Sequence, residues 1–179
     1  MELELSNIEV ILLSIVNEKP SYAYEIDKTI DARDMRRWIR IGVASIYQVL
    51  KRLRDKGLVY SQKEKEGRMP ERNRYYVTEY GKKALVIAAK KRLTDLEWYY
   101  LDLNIGLEAS DLLTTGEMVD CLAQRLSKVQ TNKKRMQEIY KAGNKGNFKR
   151  KTVIKNLLNF REAEEKFLQD LLQEISGKD

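Results

Sequence analysis

The chain has 179 residues, with 34 Lys and Arg against 27 Asp and Glu, a net charge of +7 and a pI near 9.3. Its 42% apolar and 34% charged residues suit a globular core under a heavily solvated surface. With no histidine, one cysteine (Cys121) and no glycine-rich phosphate loop, it lacks the usual general base, the commonest metal ligand and any intramolecular disulfide. No enzyme, metal site or cofactor is expected, and a reducing cytoplasm is the compartment that suits it. No apolar run approaches the ~18 residues of a membrane span, and the acidic start is unlike a signal peptide.

Leu5, Ile8, Ile11, Leu12, Ile15 and Val16 recur at helical spacing and predict a first helix over about residues 4–17. Lys19-Pro20-Ser21 ends it, and Ser21 is placed to cap a second helix, about 21–33, with Tyr22, Ile26 and Ile30 on one face. A polar, basic connection from Arg33 to Gly42 leads to a third helix. There Ile46, Val49, Leu50 and Leu53 form one face, and Lys56-Gly57 closes the helix. Leu58-Val59-Tyr60 and Tyr75-Tyr76-Val77-Thr78 are β-rich runs around a charged turn, Glu66 to Arg72, and predict a two-stranded hairpin with a basic tip. Thr78 then caps a long helix, about 80–104, with Leu85, Ala89, Leu93, Leu96, Tyr100 and Leu103 on one side.

After Gly106, Val119, Leu122, Leu126, Val129, Lys133, Met136 and Tyr140 step alternately by 3 and 4, a heptad-like seam with one polar interruption. Gly143-Asn144-Lys145-Gly146-Asn147 breaks it, and a second seam runs from Val153 to Ile175. The two helices form an antiparallel hairpin with more apolar surface than a lone pair can bury, so a partner is expected. The fold class is mainly α with a small β-hairpin: a winged helix-turn-helix over residues 1–104, which includes the long linking helix, then a C-terminal helical dimerisation domain over 105–179.

The charge is segregated along the chain. Residues 1–35 hold 3 basic and 8 acidic side chains, residues 36–74 hold 12 and 4, residues 75–92 hold 5 and 1, and residues 93–179 hold 14 of each. A basic surface concentrated in one stretch points to a polyanion. Opposite the apolar face of the third helix stand Ser45, Gln48, Lys51 and Arg52, with Tyr47 on the shoulder. Gln48 can pair with adenine, Lys51 and Arg52 with phosphate or guanine, and Ser45 with a phosphate near the helix start. Arg68 and Arg72 on the hairpin tip can reach an adjacent groove or backbone. The bland alternative for such cations is a solvated face. Trp98 and Tyr100 are candidates for binding a small aromatic effector; the competing assignment places both in the core or an interface.

The stretch Lys19-Pro20-Ser21-Tyr22-Ala23-Tyr24-Glu25-Ile26 resembles the second-helix signature of PadR-type transcriptional regulators. Ala44 to Leu53, followed by Lys56-Gly57-Leu58-Val59, resembles their recognition helix and the start of the wing. Arg74-Tyr75-Tyr76-Val77-Thr78-Glu79-Tyr80-Gly81 resembles the second wing strand and the start of the next helix, and the match spans about residues 8–90. The two-helix tail resembles the longer C-terminal domain of one PadR subfamily. The resemblance implies a homodimeric repressor, less often an activator, on a roughly palindromic operator in double-stranded DNA. It also implies that Tyr47 and the basic residues after it lie at the DNA face, with Arg74 on the wing, and that the C-terminal helices make the dimer. Two departures stand out. Ala23 replaces the common Gly, and the histidine that phenolic-acid-sensing members use in their effector pocket is missing. The alternatives are a winged-helix protein-interaction module and an activator with no small-molecule effector.

Overall fold

A computed structural model describes residues 4–65, 71–142 and 148–177, which fall into two compact units, Met1–Trp98 and Tyr99–Asp179. In the first, α1 (Asn7–Glu18) begins with a reciprocal cap. The Glu9 N–H donates to Ser6 Oγ, and the Ser6 N–H donates to Glu9 Oε2 at 2.8 Å. After Pro20 the backbone stays extended as β1 (Ser21–Tyr22), and α2 (Ala23–Ala32) follows directly. Ser21 is therefore not the cap that its position suggests. Its backbone pairs with Tyr75, its hydroxyl donates to the Lys19 carbonyl, and Glu25 takes the Tyr22 N–H at the helix start.

A short 3₁₀ turn (Met35–Arg37) leads to α3 (Val43–Asp55), which buries Ile46, Val49, Leu50 and Leu53 as the periodicity predicts. Its end is a left-handed glycine closure. Gly57 has φ +70°, its N–H reaches the Arg54 carbonyl, and the Leu58 N–H reaches Leu53. The wing consists of β2 (Val59–Glu64) and β3 (Arg72–Val77), antiparallel from Val59↔Val77 to Glu64↔Arg72. β1 adds a third strand in the order β1-β3-β2. A two-residue strand is too short to show a period of two, and for that reason the sequence suggests only a hairpin. Alternation along β3 sends Tyr75 and Val77 into the core and leaves Tyr76 stacked on Tyr60 across the other face.

Thr78 caps α4 (Glu79–Thr94) as expected, accepting from the Gly81 N–H at 2.9 Å. The buried face of the helix matches the expected one only in part: Leu85 packs half-buried on the core, but smaller residues make most of the contact. The helix is also shorter than expected. It stops at Thr94, whose hydroxyl donates back to the Lys90 and Lys91 carbonyls, and Asp95 is extended. The buried face consists of Gly81, Ala84 and Ala88, while Leu93 and Leu96 are more than four-fifths exposed. Small residues win because the helix approaches backbone: a Cβ built on Gly81 would lie 2.1 Å from the Leu58 carbonyl oxygen.

Among the described residues of this unit one charged side chain is buried. The Glu9 carboxylate accepts from Lys56 Nζ at 2.7 Å, with Arg52 Nε 3.9 Å away. Burial alone would push this carboxyl up, but the hydrogen bonds from Lys56 and Ser6 outweigh it and hold the group below the usual glutamate range. The folded state is thus stabilised at pH values above the unfolded carboxyl's pKa, ~4.3, and loses that contribution as pH falls through the lower folded value. Denaturant melts from pH 7 to pH 3 are expected to show Glu9→Gln losing less stability on acidification than the parent chain. Equal slopes would remove Glu9 from the acid sensitivity.

In the second unit, α5 (Asp102–Glu108) precedes the long pair α6 (Thr115–Ala142) and α7 (Phe148–Ser176). Thr114 and Glu117 cap α6 reciprocally. Leu122 and Val129 close on Leu168, and Met136 closes on Ile154 and Leu158. Between these clusters run Arg125–Glu164, Arg161–Glu164 and Lys133–Glu165 pairs. The polar interruption of the seam at Lys133 thus has its acid on the facing helix, which specifies antiparallel register. The turn expected at Gly143–Asn147 lies outside the described residues. Phe160 and Phe167 remain nearly half exposed, so two helices leave apolar surface over.

Candidate nucleic-acid interface

With residues advancing by about 100° along α3, the buried side of the helix leaves Ala44, Tyr47, Gln48 and Lys51 facing outward, all exposed. Gly42 occupies the cap position and supplies no side-chain acceptor, so the first-turn N–H groups keep their capacity for an anion. Ser45 lies half-buried on one flank of this face. Lys51 has no ion-pair partner among the described residues. Arg52, although half exposed, leans toward Glu9 on α1 and shares that carboxylate with Lys56. It stands at the edge of the outward face.

The other flank holds a residue that spacing alone did not single out. Arg54 is exposed near Tyr75 of β3. Burial pushes the Tyr75 phenol up, and the Arg54 charge pulls against that shift. The signal was available as a third cation in the helix, but its nearness to the wing strand exists only once β3 packs on the core.

Arg72 and Arg74 point away from the core face of the wing. Arg72 lies 5.2 Å from the Tyr24 ring centroid, which Lys28 also approaches at 5.4 Å. Arg74 sits over Tyr22 and donates to Glu64 Oε2 at 3.1 Å and to the Pro20 carbonyl. The Tyr76 hydroxyl donates to Glu64, and with Arg74 beside it the carboxyl is held below the usual range. Arg74 therefore ties the wing to β1 and has limited reach outward. Arg68 lies outside the described residues.

Two other cations of the basic stretch are engaged internally. Arg36 donates to Asp27 and Asp31 on α2 and to the Ile41 carbonyl just before α3, and Arg37 pairs with Asp34 at 3.5 Å. These pairs hold the turn that aims α3. The structure thus brings Tyr47, Gln48, Lys51 and Arg54 onto or beside one face. It sets Arg52 at the edge and places Arg72 and Arg74 on the outer side of the wing.

Trp98 and Tyr100 are 82% and 91% exposed, so neither is a core residue of this chain. A cleft of about 310 Å³ in the first unit lies between the segment before α1 and the second half of α4, and neither residue lines it. Among the described residues no acidic or cysteine cluster could hold a metal ion, and no helix is long and apolar enough to cross a membrane.

Three helices, a three-stranded sheet with a two-stranded wing and an outward polar face on the third helix define a winged helix-turn-helix, a DNA-binding class. Residues 12–86 match the model of the transcriptional regulator PadR-like family. The first unit thus contains a PadR-like domain. Solved structures share the fold of this chain over nearly its whole length. Bacillus subtilis PadR in complex with operator DNA is 18% identical, with a TM-score of 0.81 over 95% of this chain and 99% of that one. The same protein in complex with p-coumaric acid is 16% identical, with a TM-score of 0.79 over 94% and 98%. The PadR-like regulator BC1756 from Bacillus cereus is 13% identical, with a TM-score of 0.65 over 98% and 99%. At these identities the likeness is one of fold. No curated protein matches this chain in sequence.

Proposed function

We propose that this chain is a PadR-like transcriptional regulator and acts as a homodimeric repressor, two copies of α3 reading the half-sites of a roughly palindromic operator in double-stranded DNA. The observation that carries it is the outward face of α3, where Tyr47, Gln48 and Lys51 are exposed around a helix start with no side-chain cap. Gln48 has the donor and acceptor pair that adenine requires, and Lys51 is a cation free to meet phosphate or guanine. Ser45, Arg52 and Arg54 flank that face, Arg72 and Arg74 lie on the outer side of the wing, and Arg68, between the two wing strands in sequence, is a further candidate for the DNA backbone. One recognition helix reads only a few base pairs, so a two-fold dimer is needed to select a site in a genome. The second unit supplies the surface for that dimer.

Release by a small molecule completes the proposal. Bacillus subtilis PadR has been crystallised with p-coumaric acid. This chain has no histidine to meet a phenolate, and Trp98 and Tyr100, each exposed, are instead the candidate residues for meeting a flat aromatic effector.

Selection from a random duplex pool, followed by a salt titration on the selected duplex, tests this directly. The selected sites are expected to be two-fold symmetric. The logarithm of the binding constant should fall linearly with that of salt concentration, by about 0.9 per phosphate neutralised. A flat salt response, or no preference for duplex over other polyanions, would point instead to docking on an acidic protein.

A further inference from the structure

Two cations, one in α3 and one at its end, converge on a single oxygen of α1. Glu9 Oε1 accepts from Lys56 Nζ at 2.7 Å and lies 3.9 Å from Arg52 Nε, while Glu9 Oε2 takes the Ser6 N–H at the helix start. The Glu9 side chain is 4% exposed and that of Arg52 53%. Capping α1 does not call for the charge, because a glutamine at this position would accept the same Ser6 N–H. Nor does burial call for two cations. A buried carboxylate has to be paired, and the hydrogen bond from Lys56 meets that need.

Arg52 has a second place to go. It follows Gln48 by four residues, and residues so spaced are neighbours on a helix surface. With its side chain turned outward, the guanidinium would stand beside the Gln48 amide, where its planar fork of donors suits a phosphate. Turned inward, as it is here, it approaches Glu9, and among the described residues that is the one carboxylate within ion-pair distance of it. Lys56 sits a turn further on, at the end of α3, and its hydrogen bond to Glu9 holds it there. Against the upward push of burial, the bonds from Lys56 and Ser6 keep the carboxyl below the usual glutamate range, so it is ionised at neutral pH. Being buried, it is also screened by salt less than a phosphate on the surface of a duplex.

We propose that Glu9 is a positioning residue for DNA binding. It withholds Arg52 from the duplex, and the outward face of α3 therefore grips phosphate with one cation fewer than the sequence of the helix offers. The inference rests on α3 as the helix that meets DNA, proposed above, and adds a competitor inside the protein for one of its cations. At 3.9 Å Arg52 is the looser of the two partners of Glu9. Releasing it should change affinity several-fold, well below the effect of residues that already face outward.

A double-variant cycle on the full chain, read by fluorescence anisotropy with a labelled random-sequence duplex at several salt concentrations, tests it. Glu9→Gln keeps the acceptor for Ser6 and removes the charge. It is expected to tighten binding about 5-fold at moderate salt and to steepen the salt dependence by up to about 0.9, the contribution of one further phosphate. Arg52→Ala in the parent chain should shift affinity by less than about 2-fold, whereas in the Glu9→Gln background it should abolish the whole gain. A Glu9→Gln chain that binds no tighter than the parent overturns the inference. So does a gain that survives Arg52→Ala, which would come from Lys56 or from the lost charge itself. Should Glu9→Gln not fold, the parent answers alone by NMR. On adding the duplex, the Arg52 Nε–Hε resonance should move far less than the Gln48 side-chain amide, and an equal displacement overturns the inference. A parent chain that does not bind duplex removes the reading of α3 and this inference together. A parent that binds, and loses that binding on Gln48→Ala with Lys51→Ala, leaves the reading standing whatever Glu9→Gln does.

Discussion

A duplex selected by the full chain is expected to bind about 100-fold more weakly to the Gln48→Ala, Lys51→Ala double variant, with the thermal midpoint and oligomeric state unchanged. Both side chains are exposed and project from the face of α3 opposite Ile46, Val49, Leu50 and Leu53, so their loss opens no cavity. A bidentate contact to a base contributes about 1–3 kcal/mol of discrimination. Loss of a phosphate contact weakens binding to all sequences and lowers the salt slope by about 0.9. The two single variants therefore separate the roles. Gln48→Ala should relax preference at one position of each half-site and leave the salt slope alone, whereas Lys51→Ala should weaken selected and random duplexes alike. Arg52→Ala is expected to cost less affinity, because that guanidinium already faces Glu9. Double-variant affinity within threefold of the parent at moderate salt would remove the outward face of α3 from the DNA contact.

The second large effect concerns stability. Gly81→Ala is expected to destabilise the first unit by about 3 kcal/mol or more, at the upper end of what overpacking costs, and Gly81→Val to prevent its folding. An added Cβ would meet the Leu58 carbonyl oxygen at 2.1 Å and Val77 Cγ2 at 3.0 Å. That carbonyl is not free to move. It accepts the Thr78 N–H, and it follows directly on the left-handed Gly57 that closes α3. Relief would have to come from α4 lifting off, which would uncover Ala84 and Ala88. Ala84→Gly serves as the contrast. It enlarges nothing and should cost only about 1 kcal/mol of helix propensity. Urea melts of both variants check the pair. If Gly81→Ala falls within 1 kcal/mol of the parent, the close approach of α4 to the β2 start is not as described.

The elements of this chain were largely legible before any coordinates. Apolar residues at helical spacing mark α1, α2, α3, α6 and α7, and Thr78 marks the start of α4, because one local geometry repeats along each segment. The errors share one physical origin. Ser21 looks like a cap until its backbone pairs with Tyr75, 54 residues away in sequence. The large side chains of α4 look like its buried face until Gly81 is seen against a carbonyl. The candidate site was partly legible in the same sense. The exposed side of α3 follows from its buried side, so Tyr47, Gln48 and Lys51 could be read from spacing.

Periodicity and turn residues thus settle which segments are helices and, α4 excepted, which side of each meets the core, since these depend on neighbours three or four positions apart. The fate of each charge depends on distances that no linear count contains. Arg36 and Arg37 add to the basic stretch on paper, yet α2 and the turn after it supply their carboxylates. Lys56 is drawn to Glu9 from 47 residues away, taking Arg52 part of the way with it. Coulombic attraction falls with separation and is screened within about 8 Å in water. Only packing, which brings distant segments inside that range, determines which cations of α3 remain available to a phosphate.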